Sequence, residues 1–319
     1  MRLVQAWEEF RRGKMKKPDV QTFARRLEDN VFALHTELSR KTYRHSAYTS
    51  FWVHDPKQRH IHKAPVVDRV VHHLLYTYLY ELFDPTFIYD SYACRKGKGT
   101  HKAVDRLENF VRRVSKNYSC SCWVLHGDIK QFFACIDHDI LFSFLKRRID
   151  DPDILWLLGQ VIDSFHSDVG VGKGIPLGNL TSQVFANIYL DEFDKYMKHI
   201  RRVSFYIRYA GDFVVADSSR ETLLQLTDPV RGFLKTHLAL ELHPRKLSIR
   251  KLAWGVDFLG YIVLPQYRLP RTKTKNRMLT HISKCVASPN ASQMIQSYLG
   301  YLSHADSYEL SLTVRNLSF

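Results

Sequence analysis

The stretch FYIRYAGDFVVAD, residues 205–217, decides the reading of this chain. Two β-rich runs flank Ala210-Gly211-Asp212, the pattern of a tight hairpin. Upstream, CWVLHGD at 122–128 reads as a short buried strand that ends in a carboxylate. A strand, two helices (about 138–149 and 152–166), a helix near 180–200 and then the hairpin bring the end of the first strand beside the hairpin tip. Asp128 and Asp212 are therefore expected in one neighbourhood. Paired carboxylates on adjacent strand ends suit hard divalent cations, which take oxygen ligands and bridge substrate phosphates. Taken alone, Asp128 would be an ordinary strand-end or cap carboxylate.

The segments around this centre alternate helix and strand. Residues 1–45 carry Val20, Phe23, Leu27, Val31, Leu34 and Leu38 at helical spacing. TSFWVHDPKQRHIHK at 49–63 predicts a basic hairpin turning at 55–58. A long helix follows Pro65, with Val67, Val70, Val71, Leu74, Leu75, Tyr78 and Leu82 at its apolar positions, and Asp84-Pro85 ends it. The loop RKGKGT at 95–100 leads into a basic helix from about 101 to 116, and the glycine-punctuated GVGKGIPLGN at 170–179 leads into the helix near 180. A helix near 219–236, a strand near 247–250, a hairpin around 256–269 and a basic helical end complete the chain. The class is α+β, helices packed around a small antiparallel sheet.

Composition narrows the function. The 319 residues suffice for a large core, 45% are hydrophobic, and the formal charge is +15. Such a charge points to a polyanionic partner, nucleic acid first, or to a basic solvated surface. The five cysteines are odd in number and form no zinc-finger spacing, as in reduced cytosolic proteins. The amino-terminal MRLVQAWEEFRRGKMKK has no continuous apolar run, and no later run approaches a membrane span, so a soluble, cytoplasmic, unprocessed protein is expected with no membrane partner.

Five motifs in order carry a resemblance: DIKQFF at 128–133, GIPLGNLTSQ at 174–183, YAGDF at 209–213, HPRK at 243–246 and FLGY at 258–261. They resemble the palm motifs of reverse transcriptases, and HIHKAPVVDRVVHH and DSYACRKGKGTHKAV resemble the finger segments of the bacterial enzymes. IPLGNLTSQVFANIYL looks most like the diversity-generating retroelement branch, which is related to group II intron reverse transcriptases, and nothing after the thumb-like end reads as a maturase or endonuclease segment. The resemblance implies a right-hand polymerase: a helical extension (1–48), fingers (49–121), a palm (122–264) with a finger-like helical insertion at about 138–170, and a short helical thumb (265–319). It implies RNA-directed DNA synthesis, a template RNA copied into cDNA from a primer and deoxynucleotides. Two Mg²⁺ ions, with Mn²⁺ as the alternative, and a small helical basic accessory protein are further implications. A bacterial defence enzyme, an intron-type enzyme and an RNA-binding scaffold without chemistry are the other readings.

Residue by residue, the resemblance makes Asp128 and Asp212 catalytic metal ligands and Lys246 the acid that protonates pyrophosphate, where a solvated surface lysine is the plain alternative. Phe133 becomes the gate against a ribose 2′-hydroxyl, although Phe132 beside it could be the ring in question. Leu177 stands where many relatives have a glutamine that contacts the incoming nucleotide, which implies relaxed fidelity, and Gly178 would let backbone approach the nascent pair. Lys57, Arg59, Lys63 and Arg69 are the candidates for triphosphate contact, and Phe258, Leu259, Gly260 and Tyr261 for the primer grip. One position departs from the pattern. The family expects Tyr-x-Asp-Asp, and Gly211 occupies the place of the first aspartate, which removes a direct metal ligand while suiting a hairpin turn. The chain as it stands is therefore expected to polymerise poorly.

Overall fold

The computed structural model describes residues 2–54, 58–285 and 291–316. The chain forms two compact units, each assembled from three stretches: Met1–Tyr89, Ile129–Ile200 and Arg231–Leu242 in the first, Asp90–Asp128, Arg201–Val230 and His243–Phe319 in the second.

In the first unit the helix Val66–Phe83 repeats buried side chains four residues apart, Val71, Leu75, Leu79 and Phe83, and the helix packs against the helix Arg2–Arg11. The latter contributes Leu3, Ala6, Trp7 and Phe10. The amino-terminal 45 residues, expected as one amphipathic stretch, hold three helices in all, the others being Pro18–Ala24 and Leu27–Ser39. Val31 and Leu38 of that stretch stay outside the core, and Leu34 is the buried residue of its helix. Strands β1 (Thr49–Val53) and β2 (Arg59–Lys63) pair antiparallel with Thr49 opposite Lys63. Lys57 and the rest of 55–57 lie outside the described residues.

The helix Leu180–Lys195 is buried on most of its faces, which is why its sequence shows little amphipathic pattern. It packs against Val66–Phe83 and against His138–Lys146. The last of these starts where the Asp137 carboxylate accepts the backbone N–H groups of Asp139 and Ile140, both at 3.1 Å, and Asp151 starts Pro152–Ile162 in the same way.

The second unit is built on a four-stranded antiparallel sheet of β3 (Trp123–Asp128), β4 (Tyr206–Tyr209), β5 (Asp212–Asp217) and β6 (Ser248–Lys251), in the order β4-β5-β3-β6. The helix Thr100–Val114 covers it, with Val104, Leu107 and Val111 in one cluster with Val124, Ile207 and Val214. Three short strands follow as a meander, β7 (Val256–Phe258), β8 (Tyr261–Val263) and β9 (Arg268–Pro270), where a two-stranded hairpin was expected. The basic carboxy-terminal part forms three helices, Thr272–Cys285, Ala291–Leu302 and Tyr308–Asn316, closed around Met278, Ile282, Ile295, Leu302 and Val314. The α+β class holds. Among the described residues no helix is long and apolar enough to cross a membrane.

Candidate active site

In the second unit β3 runs out at Asp128 and β5 starts at Asp212, and the register sets these two residues opposite each other. Tyr209 pairs with Asp212, so the hairpin loop is Ala210-Gly211 alone, with Ala210 in the left-handed region at φ +51°. The preceding pair, Gly127 and Phe213, explains why a glycine precedes the carboxylate: a Cβ at Gly127 would stand 2.7 Å from Cε1 and 3.0 Å from Cε2 of the fully buried Phe213 ring. The sheet closes over that ring only because position 127 has no side chain.

A turn brings the third group. The backbone N–H of His243 donates to the Asp128 carbonyl at 2.7 Å, and the N–H of Lys246 returns to the His243 carbonyl at 3.1 Å. Pro244 at the second position suits this turn. It presents Lys246, whose ammonium donates to Oδ2 of Asp128. The Asp128 side chain is only 15% exposed. Burial raises its pKa above the usual carboxylate range, the neighbouring Asp212 adds to the rise, and the Lys246 hydrogen bond opposes it.

Two further residues were not singled out in the sequence. His126, two residues before Asp128 and so on the same face of β3, has its Nε2 3.4 Å from Oδ1 of Asp212, buried and without a hydrogen-bond partner. The i, i+2 spacing His-Gly-Asp was the available signal. Arg208, fully buried, reaches from β4 to the hairpin: its guanidinium donates to the Ala210 carbonyl at 3.3 Å and to the Ser91 hydroxyl at 3.0 Å. An arginine inside an otherwise apolar strand hints at such a role.

The proposed primer-grip residues lie in the same unit. Phe258 and Tyr261 close the β7–β8 turn with their side chains buried, and Leu259 and Gly260 form the turn itself with φ +49° and +96°. The Tyr301 hydroxyl donates to the Gly260 carbonyl at 2.6 Å, and the Tyr261 hydroxyl donates to the Tyr301 carbonyl at 3.1 Å.

The first unit holds a cavity of about 500 Å³ lined by Arg59, His62, Phe133, Phe165 and Leu177 among others. Phe132 also lines it but is buried, edge-on to Phe133 at 5.3 Å, while Phe133 keeps partial exposure. Gly178, at φ +108°, lies against the β2 strand, and a Cβ there would stand 2.8 Å from Cγ2 of Ile61. The loop is tied to the same strand by the His62 N–H on the Leu177 carbonyl at 2.9 Å and the Asn179 amide on the His62 carbonyl at 2.8 Å. Lys63 and Arg69 both pair with Asp19, at 2.7 and 2.5 Å. Burial pushes the Asp19 pKa up, but the hydrogen bonds and charges of these two cations outweigh it and hold it at about 2.

The family model for reverse transcriptase (RNA-dependent DNA polymerase) matches residues 54–263, about two thirds of the chain. The chain belongs to the reverse transcriptase family. Its relatives include protein YkfC of Escherichia coli, 26% identical over 61% of this chain and 60% of the relative, and the group II intron-encoded protein LtrA of Lactococcus lactis, 21% identical over 64% and 44%. The chain thus spans less than two thirds of either. In structure it is similar to telomerase from Candida albicans in complex with a fragment of telomeric RNA, with a TM-score of 0.53 over 88% of this chain and 61% of that one. At 9% identity that likeness speaks for the polymerase fold.

Reverse transcriptases generally use divalent metal ions. Two hard cations need several carboxylate oxygens, shared and in excess. The cluster at the ends of β3 and β5 offers Asp128, already bonded to the Lys246 ammonium, and Asp212 beside an imidazole, with Gly211 between the strands. Among the described residues no three His, Cys, Asp or Glu side chains converge as a metal-binding group. These residues do not fit a two-ion site.

Proposed function

We propose that this chain is an RNA-directed DNA polymerase of the diversity-generating retroelement type, built to copy a template RNA into cDNA and impaired at one carboxylate. The observation that carries the reading is the facing pair Asp128 and Asp212 at the ends of β3 and β5, in a chain matched by the reverse transcriptase model. The phrase IPLGNLTSQVFANIYL supports the retroelement branch, and the intron-encoded relatives make an intron-type enzyme the runner-up. Fingers, palm and thumb take the bounds 49–121, 122–264 and 265–319.

The chain's own residues have these parts. Phe133, a partly exposed ring of the cavity, excludes a ribose 2′-hydroxyl, and Leu177 replaces a polar handle with an aliphatic one, relaxing fidelity. Arg59 offsets triphosphate charge together with Lys57, and Lys63 and Arg69 join them when Asp19 yields. Gly178 holds the cavity wall against β2. The Leu259-Gly260 turn, braced from behind by Phe258, Tyr261 and Tyr301, supports the primer, and Lys246 is placed to give a proton to the leaving group once released from Asp128. The basic surface meets the RNA and cDNA backbone. A small helical basic accessory protein completes the assembly, and Mg²⁺ is the ion of the repaired enzyme.

A second reading, an RNA-binding scaffold that has lost its chemistry, is favoured by Gly211 and by the ammonium on Asp128. Extension of a primed RNA template with deoxynucleotides and Mg²⁺, run for this chain and its Gly211→Asp variant, separates the two. The polymerase reading expects the variant to be faster by at least ~10²-fold, the scale set by misaligned reacting groups. Equal extension by both proteins rules out the part assigned to Gly211, and template binding with no extension by either establishes the scaffold.

A further inference from the structure

We infer that Lys246 is the built-in cation of the Asp128–Asp212 pair, an ammonium that stands in for a metal ion and keeps divalent cations out. The inference deepens the proposed function and rests on its assignment of the carboxylate centre. Three observations carry it. The ammonium is bonded to Oδ2 of a carboxylate that is largely buried and has a second carboxylate beside it, so a positive charge at that point offsets the repulsion of the pair. The lysine is presented by a fixed turn and not by a loose tail, because the His243 N–H is anchored on the carbonyl of Asp128 itself and the turn closes back on His243. Finally, glycine at 211 leaves the centre with two carboxylates where the family pattern has three, which removes oxygen ligands that a dication would need.

A dication entering this site must displace the ammonium or sit within a few ångströms of it. There the two positive charges repel, and the partial exposure of Lys246 screens part of that repulsion without removing it. Removing the charge should therefore strengthen metal binding, the opposite of what removing a metal-site or leaving-group residue does.

The test is Mn²⁺ binding to the full chain without substrate, read from the paramagnetic resonance of free Mn²⁺, for the parent, Lys246→Met and Lys246→Arg. Tighter binding by ~10-fold or more in the methionine variant, with the arginine variant as weak as the parent, is the expected result. Binding in Lys246→Met that equals or falls below the parent overturns the inference. If that variant loses its circular dichroism while Lys246→Arg keeps it, Mn²⁺ at millimolar concentration should restore the fold, and failure to restore it likewise overturns the inference. The polymerase reading is judged separately by extension with Gly211→Asp, since no nucleotide enters the binding measurement.

Discussion

Gly127→Ala adds one methyl group at the point where β3 crosses the Phe213 ring. The new Cβ would stand 2.7 and 3.0 Å from two ring carbons, whereas carbon atoms rest at about 3.5–4.0 Å, so ring or strand must move by roughly 1 Å. Phe213 is fully buried, with Tyr206 at a ring-centroid distance of 6.3 Å, so the ring has little room to retreat. Overpacking of this kind costs about 1–3 kcal/mol, and alanine recovers about 0.5–1 of it by stiffening the unfolded backbone. The net loss should be about 1 kcal/mol, read as a lower urea midpoint with an unchanged slope. Phe213→Leu removes the obstacle. The double variant should therefore be more stable than the sum of the two single losses predicts, by about 1–2 kcal/mol. A Gly127→Ala protein within 0.5 kcal/mol of the parent, or strictly additive losses, would refute the close-approach argument.

Asp19→Asn should weaken the first unit at neutral pH. The pKa of Asp19 is held at about 2, below the ordinary carboxylate value, so its contribution is present above the unfolded pKa and is lost as pH falls through the folded one. The full shift corresponds to about 2.5 kcal/mol, reduced by solvent to about 1, and the difference between parent and variant should vanish by about pH 2 in denaturation curves. His72, buried on its helix, has its pKa pushed down to about 3, first by burial and then by the nearby His45, His73 and Arg69. Its depressed value means that stability is full above about pH 6.5 and falls as pH drops towards 3, and His72→Gln should flatten that fall in acid-denaturation curves. In the Gly211→Asp background, Phe133→Ala should admit ribonucleotides at least ~10-fold better relative to deoxynucleotides, and an unchanged ratio in competitive incorporation removes the gate role from that ring. In the same background Leu177→Gln should lower misincorporation, counted by sequencing the cDNA, and equal error rates dispose of the fidelity argument.

Much of the fold was legible because its signals are local. The β-rich runs at 122–128 and 205–217 and the apolar period after Pro65 each act over a few residues, and they appear as strands and a helix, with Leu79 and Phe83 buried in place of the expected Leu74, Tyr78 and Leu82. The facing of Asp128 and Asp212 followed from element order alone. What escaped depends on partners far along the chain. Lys63 and Arg69 read as candidates for triphosphate contact, and only the folded chain sets Asp19 between them, 44 and 50 residues away. Phe258 and Tyr261 look like a contact surface in FLGY, yet alternation on two short strands turns both rings into the core and leaves the intervening turn at the surface. Gly178 resembled a position cleared for a ligand, and its close neighbour is Ile61. The pairing of Lys246 with Asp128 spans 118 residues and has no local signature at all.

Template-directed synthesis by this chain requires Asp128 and the β4–β5 hairpin to form one catalytic centre. The most direct measurement is the single-turnover rate of deoxynucleotide addition on a primed RNA template by Gly211→Asp, set beside the same protein carrying Asp128→Asn. The rate should fall by ~10³-fold or more when the Asp128 carboxylate is neutralised, with template binding retained. Extension that survives Asp128→Asn within a few-fold would contradict the central claim.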